Sequence, residues 1–206
     1  MAIVNYDSFS RGNANPIGSP YTTIANHGDI QLTSSTAQTT TNNTACDTVD
    51  TGNSYPSDHY SQIQMATFTS GSCYVIVRAT PASDAFVSWN VVNGSQTSYF
   101  QWRQNASTSG TYQQVNLNTP GTSNDTYYLG VQGQVYTLYQ NGSLLLTYTD
   151  ANAYLTTGAP GFGVAVSTAY QASCAVNAFT GGNFLTSIPI PKGPRQTFVN
   201  DSIIFY

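Results

Sequence analysis

Apolar and polar residues alternate along much of this chain with a period of two, the spacing of a strand with one buried face. Over residues 58–68, Ile63 and Met65 face one way and Gln62 and Gln64 the other. Over residues 73–80, Cys73, Val75 and Val77 share the inward side, which turns Tyr74, Ile76 and Arg78 outward. Residues 86–92 and 98–104 follow, separated by Asn93-Gly94-Ser95, a hairpin signal. With Phe100 and Trp102 inward, Tyr99, Gln101 and Arg103 point out. Residues 134–140 and 143–150 flank Asn141-Gly142, which suits a two-residue type I′ turn because both central positions need φ > 0. That turn sets Tyr139 opposite Leu144, Thr137 opposite Leu146 and Val135 opposite Tyr148. Those six residues share one face, read as core.

Shorter strands are expected at residues 4–9, 21–24, 29–33 and 112–117. Two more are expected at 162–166, after the turn at 158–161, and at 172–179. Residues 34–57, rich in Ser, Thr, Asn and Gly, read either as a long surface loop or as weak strands without an apolar face. No segment keeps a helical period over three turns. The pattern therefore predicts an all-β, two-sheet antiparallel sandwich or jelly roll, with residues 127–182 supplying its central strands. Residues 1–184 form that domain. Residues 185–206 form an extended C-terminal tail, because Ile188-Pro189-Ile190-Pro191 cannot donate a backbone hydrogen bond at either Pro. The tail ends on Ile203-Ile204-Phe205-Tyr206, which reads either as a closing strand or as an arm docking on a neighbouring subunit.

Composition narrows the function more than the fold. Only 7% of the 206 residues are charged, against about 25% in an average soluble protein. A net charge of -4 argues against a nucleic-acid partner, which needs a basic surface. No apolar run approaches the length of a membrane helix, so no membrane partner is expected. Residues 1–20 lack a charged start followed by an apolar core, so no secretory signal is expected. The uncharged, Thr- and Asn-rich texture nonetheless suits a surface-exposed protein, either a virion component or an extracellular domain. Three cysteines, Cys46, Cys73 and Cys174, leave at least one free thiol, and spacing does not choose a pair.

Asp7-Ser8-Phe9-Ser10-Arg11, followed by Pro16-Ile17-Gly18-Ser19 and Tyr21, resembles the opening of concanavalin A-like (laminin G-like) jelly-roll domains. The hairpin of residues 135–150, the Gly-rich residues 158–166 and Asn177-Ala178-Phe179-Thr180-Gly181-Gly182 resemble the later strands, the last pairing with the first. The resemblance covers residues 4–184. It implies two antiparallel sheets, one concave and often used to bind glycans. In many members acidic residues near the paired first and last strands hold Ca²⁺. Asp7 is the one candidate ligand here, and the matching late position is Asn177. A hard cation wants several oxygens, preferably charged, so no cofactor is expected beyond that candidate.

The enzymatic branches of that fold use paired carboxylates, usually Glu. This chain has nine Asp and no Glu. Asp47 and Asp50 alone come close together, and they fall in the Ser/Thr/Asn-rich segment rather than on an alternating strand. His27 and His59 read as surface imidazoles, and no zinc, phosphate-loop or nucleophile-elbow motif is present. No enzyme activity is expected. Binding remains, and fifteen Tyr with two Trp supply aromatic faces for sugars. The candidate surface joins Gln62, Gln64, Tyr74, Arg78, Trp89, Tyr99, Gln101 and Arg103 on one sheet face. The expected function is a non-enzymatic structural or adhesion protein on the outside of a virion, a phage decoration or tail-fibre component, with the tail clasping other subunits and the sandwich touching host glycans. The alternative is a glycan-binding module of an extracellular bacterial protein.

Overall fold

The computed structural model describes residues 2–41, 45–166 and 171–184. In chain order the strands are β1 Ala2–Asp7, β2 Tyr21–Thr23, β3 Ile30–Thr33, β4 Thr36–Thr39, β5 Cys46–Asp50, β6 His59–Phe68, β7 Ser72–Thr80 and β8 Ala85–Val92. They continue as β9 Thr97–Asn105, β10 Thr108–Asn116, β11 Thr126–Gln132, β12 Val135–Gln140, β13 Ser143–Thr149, β14 Ala159–Ala165 and β15 Cys174–Asn183. Two short 3₁₀ turns, Pro81–Ser83 and Gln171–Ser173, are the only helical pieces among the described residues.

The strands form two antiparallel sheets, as the alternation predicts. One runs β13-β12-β11-β6-β15-β4-β3, with β1 also paired to β15; the other runs β10-β9-β8-β7-β14-β5-β2. Trp89, Tyr127, Phe100, Phe162, Phe179, Ile63, Val75 and Leu138 are buried between them. A smaller cluster, Ile24, Val49, Ile76, Ala79 and Phe86, sits outside the seven-stranded sheet beneath the loop that follows β2. That loop explains why outward-facing Ile76 is nonetheless buried.

Residues 127–182 do not form one central block. β13 is an edge strand, and β14 belongs to the other sheet. The Asn141-Gly142 turn is as expected, with both residues at positive φ, and Tyr139 does face Leu144. A register shift between Leu138 and Tyr139 then pairs Leu138 with Leu146, Tyr136 with Tyr148 and Val135 with Thr149. An extra residue in one strand flips which side chains share a face beyond it. The extra residue is Leu145 of β13, so Leu146 and Tyr148 turn to the side of the buried Leu138 and Tyr136 and pack on the core, while Val135 and Leu144 are exposed; the β12 face read as core is the outer one. Residues 34–57 also resolve: they contain β4 and β5, and every residue of β5 is buried. Cys46, Cys73 and Cys174 are all buried, and no disulfide joins them. Burial raises the thiol pKa of both Cys73 and Cys174, the latter to about 12. The tail at residues 185–206 lies outside the described residues.

Candidate functional site

The outer face of the seven-stranded sheet carries a polar cleft of about 310 Å³. Register builds it. β8 gives Val87, Trp89 and Val91 to the core, so Phe86, Ser88 and Asn90 face out. On β9, Phe100 is inward, and Tyr99, Gln101 and Arg103 are outward. Pairing lines up Asp47, Gly163, Tyr74, Asn90 and Tyr99 across five strands. A second row sets Thr111, Gln101 and Ser88 side by side. Gly163 matters because its position is already filled: a Cβ there would sit 1.5 Å from Asp47 Oδ1. The Asp47 carboxylate folds over the glycine and lines the cleft.

Two loops complete the wall. Ile24 and Gly28 donate backbone hydrogen bonds to Asp47 and Ala45 carbonyls at 3.0 Å each, which holds His27 over β5. Asp84 ends the Pro81–Ser83 turn in the left-handed conformation, with φ 53°. The result is a chain of alternating charge. His27 Nδ1 lies 2.6 Å from Asp47 Oδ2, His27 Nε2 lies 3.0 Å from Asp84 Oδ1, and Arg103 Nη2 lies 2.6 Å from Asp84 Oδ2. Burial pulls the His27 pKa down, but the Asp47 and Asp84 carboxylates outweigh it and hold it above the ordinary histidine value. Burial drives the Asp47 pKa up, with His27 and Arg103 opposing. Two ring nitrogens facing two carboxylates suit an imidazolium, which has two N–H groups where a neutral ring has one. With His27 protonated, the two positive charges match the two carboxylates. Asp47 Oδ1, Asn90 Oδ1 and Arg103 Nε are buried without a hydrogen-bond partner among the described residues. Buried polar atoms are nearly always bonded, so unpartnered ones facing a cleft mark a place where a ligand can bond.

The candidate surface predicted from sequence divides. Tyr74, Gln101 and Arg103 line this cleft, and Tyr99 lies beside it on the same face. Gln62 and Gln64 are on β6, hence on the outer face of the other sheet. Trp89 is wholly buried, its Nε1 donating to Ser98 Oγ at 2.8 Å and its ring edge-on to Tyr127. Arg78 is buried as well. A bulge after Val77 places it at φ 52°, and that conformation re-aims its side chain away from the sheet face. Its guanidinium donates to Tyr136 Oη at 3.0 Å, to the Leu155 carbonyl at 2.7 Å and to the Gly133 carbonyl.

Sequence reasoning missed His27, Asp47, Asp84 and Asn90. Neither histidine is a surface imidazole: His59 is buried, donating from Nδ1 to the Pro56 carbonyl and accepting the Arg78 backbone N–H at Nε2. Asp47 and Asp50 do lie on a strand, on opposite faces of β5. Asp50 accepts hydrogen bonds from Asn5, Asn53 and Tyr55. The signal was present as Cys46 and Thr48 alternating with Asp47 and Val49, but without an apolar run it did not read as a strand.

Asp7 does not fit a cation. Its Oδ2 sits 2.5 Å from Arg11 Nη1 and accepts Tyr21 Oη at 3.1 Å, while Oδ1 accepts the Phe9 backbone N–H at 2.7 Å. Both oxygens are committed to donors, one of them cationic. Among the described residues no group of three His, Cys, Asp or Glu is placed to hold a metal.

No family model and no curated protein matches the chain. Solved structures do. Carbohydrate-binding module CBM66 from Bacillus subtilis aligns over 80% of this chain and 92% of its own, with 15% identity and a TM-score of 0.58. A β-agarase A in complex with oligoagarose aligns over 86% and 90%, with 11% identity and a TM-score of 0.61. The exoplasmic domain of VIP36 in its Ca²⁺- and mannose-bound form aligns over 83% and 86%, with 9% identity and a TM-score of 0.56. The shared feature is the concanavalin A-like jelly-roll sandwich, the fold class read from sequence.

Proposed function

We propose that this sandwich is a non-enzymatic glycan-binding module that holds a neutral sugar in the cleft on its seven-stranded sheet. One observation carries the reading: buried acceptors on Asp47 and Asn90 lack partners in a cleft whose wall also offers Gln101, Ser88, Thr111 and the Tyr74 and Phe86 rings. Hydroxyl-rich ligands supply donors for those acceptors and apolar ring faces for the aromatics. The volume lies at the small end of ligand sites, about 300–1,000 Å³. The charges select the class. With His27 protonated, Arg103 and His27 offset Asp84 and Asp47, so the cleft holds no net positive charge to select a uronate or sulfate. The same pairing speaks against hydrolysis, because a glycosidase needs one carboxyl free as acid and a second as base or nucleophile. A carbohydrate-binding module, a mannose-bound exoplasmic domain and an agarase share the fold, so the fold alone does not separate binding from cleavage. The virion-surface role, with subunit partners reached through the tail, draws no support from the fold or the cleft. The extracellular glycan-binding alternative fits both.

The test is calorimetric titration with a panel of neutral and acidic oligosaccharides. A neutral sugar should bind, and Asn90→Ala and Gln101→Ala should each weaken it about tenfold, the loss of one hydrogen bond. Silence across the neutral panel, or affinity unchanged in the double variant, would sink the proposal. Reducing ends released from the same panel would show it to be an enzyme.

A further inference from the structure

The opposite face of the molecule differs in chemistry from the cleft. A groove of about 530 Å³ crosses the outer face of the eight-stranded sheet. Tyr60 stacks on Tyr128 at 5.2 Å between ring centroids, and Tyr139 meets Tyr128 edge-on at 5.4 Å. Two glycines set the groove's depth. A Cβ on Gly182 would come within 2.5 Å of the Tyr60 ring, and one on Gly130 within 2.9 Å of Tyr128 and Phe184. The rings therefore lie down against bare backbone. Ile3 and Val135 on the groove wall are 65% and 37% exposed, and Tyr6 and Leu144 on the same face are 62% and 53% exposed. Four of the five large exposed hydrophobics among the described residues thus share this face, and a solvated surface rarely gathers them so.

Charge and hydrogen-bonding pattern indicate what covers it. One row across six strands reads Tyr6, Thr180, Gln62, Tyr128, Tyr139, Leu144. The next reads Ile3, Gly182, Tyr60, Gly130, Thr137, Thr147. Neither row holds a carboxylate, an imidazole or a cationic side chain. In a two-fold contact a patch meets itself, so any charge near the axis faces its own like, and here that cost is absent. Every polar side chain in the two rows is a hydroxyl or an amide, which both donates and accepts, so each can bond its own kind. Exposed Ile3 and Leu144 stand on the same face as the groove, so each copy offers both a hollow and side chains to fill one. The extent suffices as well. Six strands at about 4.8 Å and six residues at about 3.4 Å give about 600 Å² per copy, or about 1,200 Å² in all, above the roughly 1,000 Å² of a specific interface. Tyrosine is among the residues enriched at the centre of such interfaces. We infer that two copies of this chain pair back to back through the outer faces of their eight-stranded sheets, burying the groove about a two-fold axis. The contact does not depend on the cleft across the molecule, but it leaves the two clefts facing away from each other.

Sedimentation equilibrium of the full chain tests it. The native protein should show twice the mass of one chain. Ile3→Asp with Leu144→Asp puts like charges on two exposed positions of the face and should weaken the dimer about a hundredfold. Ile3→Lys with Leu144→Lys should do the same, and an equal mixture of the two variants should associate again, which unfolded chains would not. Gln114→Asp, exposed on β10 of the other sheet, should leave the mass unchanged. A monomer at every concentration would overturn the inference and leave the face to another occupant. So would a dimer that survives both charged pairs, a mixture that stays monomeric, or a dimer lost on Gln114→Asp.

Discussion

Arg78 shows how far one backbone angle can move a side chain's role. The alternation of β7 aims it at solvent, yet the bulge at φ 52° turns it inward, where carbonyls and the Tyr136 ring, 5.4 Å away, accept its charge with no carboxylate partner among the described residues. Truncation would leave the Gly133 and Leu155 carbonyls without their donor and open a void. Arg78→Met should therefore cost about 3 kcal/mol, read as a lower urea midpoint with an unchanged slope. His59 is tied to the same residue. Burial first, and then the Arg78 charge, lower its pKa from 6.5 to about 4, the Pro56 carbonyl opposing. A depressed histidine is neutral in the fold, so its contribution is complete above pH 6.5 and is lost as pH falls toward 4. Linkage over that interval is worth up to about 3 kcal/mol. Urea titrations at pH 7.5 and 4.5 should show that loss. His59→Gln keeps one donor and one acceptor and should flatten the dependence. A wild-type stability that holds steady to pH 4.5 would refute the assignment. His27 works in the opposite sense: its raised pKa makes its contribution complete below pH 6.5 and lost as pH climbs through the raised value.

Between strands, the site depends on a residue with no side chain. Gly163→Ala would put a methyl group where Asp47 Oδ1 lies, while its other near contact, the Cys46 carbonyl, is 3.1 Å away. The carboxylate must leave, and the His27 pair with it. The expected result is loss of sugar binding together with a His27 pKa that falls toward 6.5, followed by its ring resonances in a pH titration. Binding lost with the His27 pKa unmoved would mean that the alanine acts elsewhere. What the sequence made legible at this scale was every strand with an apolar face: β6, β7, β8, β9 and the turn between β12 and β13. It hid β5, whose buried positions are Cys, Asp and Thr with a single Val. It also hid bulges, among them the one at Arg78 and the one opposite Leu138 and Tyr139. A bulge adds one residue without changing composition, so periodicity runs through it unbroken while the faces exchange. Of the predicted surface, Tyr74, Tyr99, Gln101 and Arg103 share one face because β7, β8 and β9 are hydrogen-bonded neighbours. Gln62 and Gln64 part from them because the link from β6 to β7 crosses between sheets, which alternation does not record.

Taken whole, the molecule is a sandwich with unlike outer faces, one polar and charge-matched, the other aromatic. Its cohesion rests on the apolar layer between the sheets, and its three cysteines are unlinked. The thermal midpoint should accordingly be the same with and without a reductant; a fall on reduction would reveal a covalent bond that the fold does not contain. The pairing of β1 with β15 has a further consequence. Ala2 lies against Asn183, and β6, in the middle of its sheet, waits for β11 on one side and β15 on the other. During synthesis the first two-thirds of the chain therefore has no complete sheet to join. β6 remains without one of its two neighbours until β15 leaves the ribosome. Such a protein folds late and all at once, and it is most exposed to wrong partners during the interval before β15 arrives.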